Sequence, residues 1–406
     1  MNSSWEAVRL GDIAVINPEN TSAFTANRKI RYVDISSVSA ESGIASDSLM
    51  ELAYGEAPGR ARRVVRPGDV LVSTVRPNLR AFAQVPGELD GQVASTGFTV
   101  LRSVQGRALP DYIWALIRTE QFVVSMVEQA TGSNYPAIRP QNVSDYTVLL
   151  PPLDEQRRIV DLIGALDEAI DAADQGTNDL AALLLSLQSD VPNGPMVPLG
   201  TVLTDIDSGV SSKPSEDANG TLNIGILKVS AVRSALFQAH EIKRLGNLQM
   251  PEKARVREGD LLITRSNTPA TVGQVCIARD VPADSFLPDL IWRLNIDRTV
   301  VVPEFLEHYL SNSESRSAIT SMATGTSLSM RKINKTNIKT LQISLPSLGA
   351  QVDYAERCDA SRIGLACSRE NAESLRSLRT ELLTSLLSGA HTIPESYDEL
   401  LEAVNA

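Results

Sequence analysis

Leu150-Pro151-Pro152-Leu153-Asp154-Glu155-Gln156 lies near the middle of the chain and Leu345-Pro346-Ser347-Leu348-Gly349-Ala350-Gln351 lies 195 residues later, and each opens a long apolar-periodic stretch. Working outward, the landmarks before each copy recur in one order. Val8-Arg9-Leu10-Gly11 answers Val197-Pro198-Leu199-Gly200, and Arg66-Pro67-Gly68-Asp69 answers Arg257-Glu258-Gly259-Asp260. Pro110-Asp111-Tyr112-Ile113 answers Pro303-Glu304-Phe305-Leu306, and Thr131-Gly132 answers Thr324-Gly325. The offsets climb from 189 to 195, as loop insertions between two copies of one domain would make them. The chain is therefore read as a long-period duplication.

Between landmarks each copy reads as a mixed α/β domain of short strands. In the first, 30–35, 70–75, 93–101 and 146–150 are strand-like and 112–127 reads as one helix entered through Pro110. The second repeats this with 224–229, 260–264, 291–296, a helix from 304 to 321, and 340–345. Ile159, Ile163, Leu166, Ile170, Ala173, Thr177, Leu180, Leu184 and Leu187 then alternate in steps of four and three, which is a coiled-coil seam. From 153 to 188 such a helix spans about 54 Å, and Pro192-Asn193-Gly194-Pro195 stops it. The terminal counterpart keeps Leu365, Ala372, Leu375, Leu382 and Leu386 in step, with Ser361, Ser368 and Arg379 diluting the stripe. One stripe needs another, so the two helices are expected to pair, antiparallel, in an α+β fold of two mixed domains each followed by a long helix. The boundaries are a first domain over 1–152, a central helix over 153–190, a second domain over 191–347, a terminal helix over 348–390 and an acidic tail over 391–406.

The net charge of −11 is unevenly placed. Residues 1–150 carry 14 basic and 15 acidic side chains and 191–350 carry 17 and 15, whereas 151–190 carry 2 against 9. An acidic helix does not lie along phosphates, so it faces solvent or protein. No apolar run is long enough to span a membrane, and the first residues lack the regions of a signal peptide. Cys276, Cys358 and Cys367 show no metal-type spacing, so a reducing cytoplasm is the expected setting, with no metal. His240, His308 and His391 are read as structural. Pro288-Asp289 has no following Glu-x-Lys, which argues against a nuclease, and the Walker, Asn-Pro-Pro-aromatic and Gly-x-Gly signatures are missing.

The stretch from Leu150 to Val160 with Leu166-Asp167-Glu168-Ala169-Ile170, duplicated at domain spacing, resembles the conserved helical region of the specificity subunit of type I restriction–modification systems. Gly-Asp followed by an apolar strand and a polar loop, Gly68 to Arg76 and Gly259 to Asn267, is also typical of that family. The second copy departs from the pattern at Ser347 and at Gly349-Ala350. The resemblance implies a non-catalytic DNA reader with two tandem target-recognition domains, each reading half of a split asymmetric target, and paired helices that act as a ruler. It also implies docking to two methyltransferase subunits that use S-adenosylmethionine, with restriction subunits as optional further partners and no cofactor in this chain.

Base edges in the major groove are read by Arg, Asn and Gln from loops or helix ends. The candidates are Arg76, Asn78 and Arg80 after the first strand landmark, with Arg265, Ser266 and Asn267 as their counterparts. Before the final strand of each copy stand Asn134, Tyr135 and Arg139, and Arg331, Lys332, Asn334, Lys335 and Asn337. The last group is the more suited to phosphates. Arg60, Arg62, Arg63 and Arg66 form a further basic cluster, readable as a backbone contact or as a solvated face. Ile159, Ile163, Leu166, Ile170, Leu180, Leu184, Leu187, Leu365, Leu375, Leu382 and Leu386 are the helix-pairing residues. The alternative reading is a coiled-coil interaction scaffold whose duplicated domains no longer read DNA, which the near-neutral domains keep open.

Overall fold

Both Leu-Pro-x-Leu stretches open a helix, the central one running Leu153–Ser189 and the terminal one Leu348–Leu387. The computed structural model describes residues 5–39, 43–209, 223–233, 236–246, 250–327 and 330–398, so the tail beyond 398 lies outside the described residues. The chain divides into two units, residues 1–173 with 371–406, and residues 174–370.

In the first unit an antiparallel sheet has the strand order Ala14–Ile16, Phe98–Ser103, Val70–Ser73, Phe82–Gln84. A second sheet, Glu51–Ala53, Lys29–Val33, Val93–Ser95, Ala61–Val64, contains the parallel pair 29–33 with 93–95. The expected strand over 93–101 is thus two strands in two sheets, parted at Thr96-Gly97. Glu6–Arg9 pairs with Thr147–Leu150, which ties the start of the domain to the strand that feeds the central helix. The second unit repeats the first sheet as Leu203–Ser208, Ile291–Ile296, Leu261–Thr264, Val275–Ile277 and the closing pair as Met196–Pro198 with Gln342–Ser344.

The helix expected over 112–127 is two, Pro110–Ile117 and Glu120–Glu128, because Thr119 breaks it. Its hydroxyl donates to Leu116 O (2.8 Å) and accepts from Phe122 N–H (3.3 Å), closing one helix and capping the next. Asn312 parts Pro303–Ser311 from Ser313–Met322, its side-chain oxygen accepting from Ser315 N–H at 2.8 Å and its backbone N–H donating to Tyr309 O at 3.3 Å. Both pairs present apolar faces to the core: Tyr112, Ile113 and Phe122 are buried in the first unit, and Phe305, Leu306 and Ile319 in the second.

The long helices pair within each unit. In the first, Ile159 and Ile163 share the core with Leu383, Leu386 and Leu387, with Leu166 and Leu382 against them, and Ile170 is also buried. In the second, Thr177 meets Ser368 (hydroxyls 2.8 Å apart), Leu180 O accepts from the Ser361 hydroxyl (3.5 Å), and Gln188 O accepts from the Tyr354 hydroxyl (2.9 Å). Numbers rise along one helix as they fall along the other, so the pair is antiparallel. Leu184 and Leu187 pack on that unit's core, Leu180 is half-buried, Leu365 is buried and Leu375 is half-buried. Ser361, Ser368 and Arg379, which dilute the apolar stripe, face the partner helix as polar contacts: Arg379 is ion-paired with Asp167, which also takes Arg118 at 3.3 Å.

Candidate nucleic-acid interface

In the first unit, strand Val70–Ser73 runs into a loop over 74–80 that lies against a second loop over 131–139. Ile138 N–H donates to Thr74 O (2.8 Å) and Arg76 N–H to Pro136 O (2.7 Å), while Val75 and Thr131 both bridge Ala137. Gly132 makes the second loop possible: its φ is +105°, and a Cβ there would stand 3.1 Å from Tyr135 O. The Thr-Gly landmark is therefore the turn at the base of this loop.

Arg76 and Arg80 both have left-handed backbones, φ 49° and 52°, bracketing the 3₁₀ turn Pro77–Leu79. Each such residue costs on the order of 1–3 kcal/mol, so its surroundings must hold it. Arg76 Nη2 donates to Asn134 O (3.2 Å), and its guanidinium carbon lies 4.7 Å from the centre of the Tyr135 ring, a cation–π contact. Arg80 is ion-paired to Glu120 at the start of the following helix. Pro77 is buried beneath the turn, and Arg76, Asn78, Asn134, Tyr135 and Arg139 are exposed. Arg139 N–H donates to Asn142 Oδ1 (2.7 Å), which fixes the start of the helix Pro140–Ser144.

The second unit builds the same frame. Ile333 N–H donates to Arg265 O (3.0 Å), and Ser266–Asn267 pairs with Met330–Lys332, which pairs in turn with Thr324–Ser327. By these hydrogen bonds Thr74 corresponds to Arg265 and Arg76 to Asn267, the match given by the 191-residue offset of the Gly-Asp landmark. The Arg265 guanidinium and the Lys335 ammonium each lie about 6 Å from the Trp292 ring centre, at 5.8 and 5.9 Å. Lys335 Nζ donates to Ile206 O, and Arg331 Nη1 donates to Ala323 O at 3.1 Å. Asn334 Oδ1 accepts from Asn337 N–H (2.7 Å), capping Lys335–Lys339. Ser266 is only 3% exposed, so its side chain is turned from solvent, whereas Lys332 is exposed and Arg265, Asn267, Arg331 and Asn337 are half-buried.

The basic cluster before strand Val70–Ser73 is mostly engaged within its own unit. Arg66 pairs with Glu19 (2.9 Å) and Asp90 (3.3 Å), Arg60 with Asp34 (3.7 Å), and Arg62 donates to the Tyr54 hydroxyl (3.0 Å). Hydrogen bonds from Arg66 and then Arg102 hold the Glu19 carboxyl at about 2. Burial lowers the Arg63 guanidinium. Arg60 and Arg66 are thus ion-paired within their own unit.

A family model described as the type I restriction modification DNA specificity domain matches residues 2–181. Across 95% of this chain and 98% of the other, the fold is similar to that in a solved structure from a study of complex assembly and conformational transition of the type I restriction–modification system, at 27% identity and a TM-score of 0.62. The specificity subunit from Thermoanaerobacter tengcongensis is similar over 96% of this chain and 98% of its own, at 25% identity and a TM-score of 0.50. The chain is similar to the specificity-subunit family of type I restriction–modification systems. Among curated relatives of that family, the HindI specificity subunit of Haemophilus influenzae is 26% identical over 46% of this chain and 40% of its own, and the EcoKI specificity subunit of Escherichia coli is 23% identical over 57% and 53%. The chain thus spans about half or less of the length of the curated relatives it matches.

Within this specificity-subunit fold the Gly-Asp landmark is structural. Gly68 and Gly259 have φ of +81° and +80°. The following carboxylates accept from the backbone three residues earlier, Asp69 from Arg66 N–H (2.8 Å) and Asp260 from Arg257 N–H (2.9 Å). Each also holds a sheet arginine, Asp69 through Arg102 Nε (2.8 Å) and Nη2 (2.7 Å), and Asp260 through Arg293 Nη1 (2.9 Å). Among the described residues Glu307, His308 and Asp359 are close enough together to hold an ion, but they are engaged with protein partners. Glu307 takes Ile277 N–H (2.5 Å) and Arg279 (3.2 Å), and His308 joins Gln188 (3.3 Å) to Asp359 (3.0 Å). This polar lock pins the domain to its helix pair. No helix of the described residues is long and apolar enough to cross a membrane.

Proposed function

We propose that this chain is the non-catalytic DNA-sequence specificity subunit of a type I restriction–modification complex. It reads a bipartite, asymmetric double-stranded DNA target, one half through each recognition domain, 1–152 and 191–347. It docks two methyltransferase subunits, which use S-adenosylmethionine, and accepts restriction subunits as further partners, acting in the cytoplasm. The supporting observation is one frame built twice with different side chains. Two laced loops offer Arg76, Asn78, Asn134, Tyr135 and Arg139 in the first unit, and Arg265, Asn267, Arg331 and Lys332 in the second. Guanidinium and carboxamide groups are the ones that read guanine and adenine edges, and exposed cations serve phosphates. A shared frame with unlike readers suits a target whose halves differ.

Long-read sequencing of host DNA with and without the gene tests this, scoring methylated adenines. A split asymmetric motif that loses methylation on deletion is the expected result. An unchanged pattern, with the partner methyltransferase shown to be expressed and active, overturns it.

A further inference from the structure

The turn Pro77–Leu79 is held at both ends by arginines in left-handed conformations. Glycine is the ordinary residue for such positions, so two arginines there require external support. The support is the lacing of Arg76 to Pro136 O, Asn134 O and the Tyr135 ring, and the ion pair of Arg80 with Glu120. What this construction delivers is a tip. Pro77 is buried under it, while Leu79 is 58% exposed beside exposed Asn78 and Arg76. A leucine held out at the tip of a polar loop gains nothing from water, and a softer loop would fold it inward.

Resting on the DNA-reading function proposed above, we infer that Leu79 is a specificity-determining residue that packs against the C5-methyl group of a thymine in the half-target read by the first unit. Thymine is the base that presents a methyl group in the major groove, and an aliphatic side chain beside Arg and Asn readers complements it. The occupant is double-stranded DNA because the tip is continuous with the guanidinium and carboxamide groups of the same loop. In the second unit the corresponding segment after Asn267 runs Thr268-Pro269-Ala270-Thr271, and the next large apolar residue along it, Val272, is buried.

The test uses the complex of the full chain with its methyltransferase subunits and the target from methylation mapping. Each thymine of the target is replaced in turn by deoxyuridine, which removes only the methyl group, and duplex binding is measured for the wild type and for Leu79→Ala. At one position in one half-target, uracil is expected to weaken wild-type binding about three- to tenfold. Leu79→Ala is expected to bind the thymine and uracil duplexes there alike, with circular dichroism confirming that it folds. Leu79→Met, which keeps an apolar tip, should retain most of the preference. The inference is overturned if no uracil substitution weakens the wild type, or if Leu79→Ala keeps the full thymine preference. A wild-type complex that neither binds nor methylates DNA would instead remove the DNA-reading function itself, which the mapping step reports separately.

Discussion

Gln156 and Gln351 occupy the same buried position in the two units and make the same three hydrogen bonds. Gln156 Oε1 accepts from Leu109 N–H (2.9 Å), and its Nε2 donates to Arg107 O (3.1 Å) and Pro151 O (2.9 Å). Gln351 Oε1 accepts from Val302 N–H (2.8 Å), and its Nε2 donates to Val300 O (3.1 Å) and Pro346 O (2.9 Å). Both are 0% exposed. Each glutamine clamps the first turn of a long helix to the residues that precede its own domain's proline-entered helix. This explains why the glutamine survives at the end of both motifs while the residues before it change from Asp154-Glu155 to Gly349-Ala350.

Removing either clamp strands two backbone carbonyls and one N–H in a dry site. Gln156→Leu and Gln351→Leu are therefore expected to destabilise the chain by about 2–4 kcal/mol each. Urea unfolding followed by fluorescence and circular dichroism checks this. Where the units melt as separate transitions, each substitution should move its own unit's transition by more than the other's.

Acid should weaken the first unit through Glu19. Its carboxyl sits at about 2, drawn down by Arg66 and then Arg102 from an ordinary value of 4.5. A depressed carboxyl stabilises fully above its unfolded value, and that stability is lost as pH falls from about 4.5 towards 2. Glu19 is about a third exposed (35%), so solvent screening limits its share to about 1 kcal/mol. Urea midpoints measured from pH 6 to pH 2.5 should fall for the wild type. Glu19→Gln should start lower at pH 6 and fall less steeply.

Much of the fold was legible because it rests on local periodicity and on repetition. The a/d stripe from Ile159 to Leu187 and the duplicated Leu-Pro-x-Leu stretches are patterns within short windows, and they led to two domains and a paired helix. The breaks at Thr119 and Asn312 were missed because each is one capping side chain inside an apolar-periodic run. In the loops, Arg76, Asn78, Asn134 and Tyr135 could be singled out by residue type. The lacing of 74–80 to 131–139 could not, since it joins strands of backbone some 60 residues apart. For the same reason nothing local marks Arg80 as spent on Glu120, Ser266 as buried, or Arg66 as neutralised by Glu19 and Asp90. The His308 lock was equally hidden, as its partners Gln188 and Asp359 lie on two different helices.

Lys332 and Lys335 stand three residues apart but should behave differently. Lys332 is exposed on the strand Met330–Lys332, whereas the Lys335 ammonium is engaged by Ile206 O. If Lys332 contacts a phosphate, Lys332→Ala should weaken binding to all sequences alike and flatten the plot of log affinity against log salt by about 0.9. Lys335→Ala should instead lower the stability of the second unit and change that slope less. Binding titrations at four or more salt concentrations, paired with thermal melts of each variant, separate the two outcomes.

Arg76 should be a reader whose accuracy depends on Tyr135. With its N–H on Pro136 O and Nη2 on Asn134 O, the guanidinium is held but still has donors to give, and the Tyr135 ring, 69% exposed, braces its face. Losing a bidentate contact to a base costs about 1–3 kcal/mol and relaxes discrimination at that base alone. Arg76→Ala is thus expected to weaken binding to the mapped target by about 10- to 100-fold while leaving non-specific binding nearly unchanged. Tyr135→Ala removes the brace and not the reader, so its loss should be smaller and should vanish in the Arg76→Ala background. A double-mutant cycle on target and scrambled duplexes measures that coupling, expected at about 0.5–2 kcal/mol on the target. Additive losses would mean that Tyr135 meets DNA independently, and equal losses on both duplexes would make Arg76 a phosphate contact.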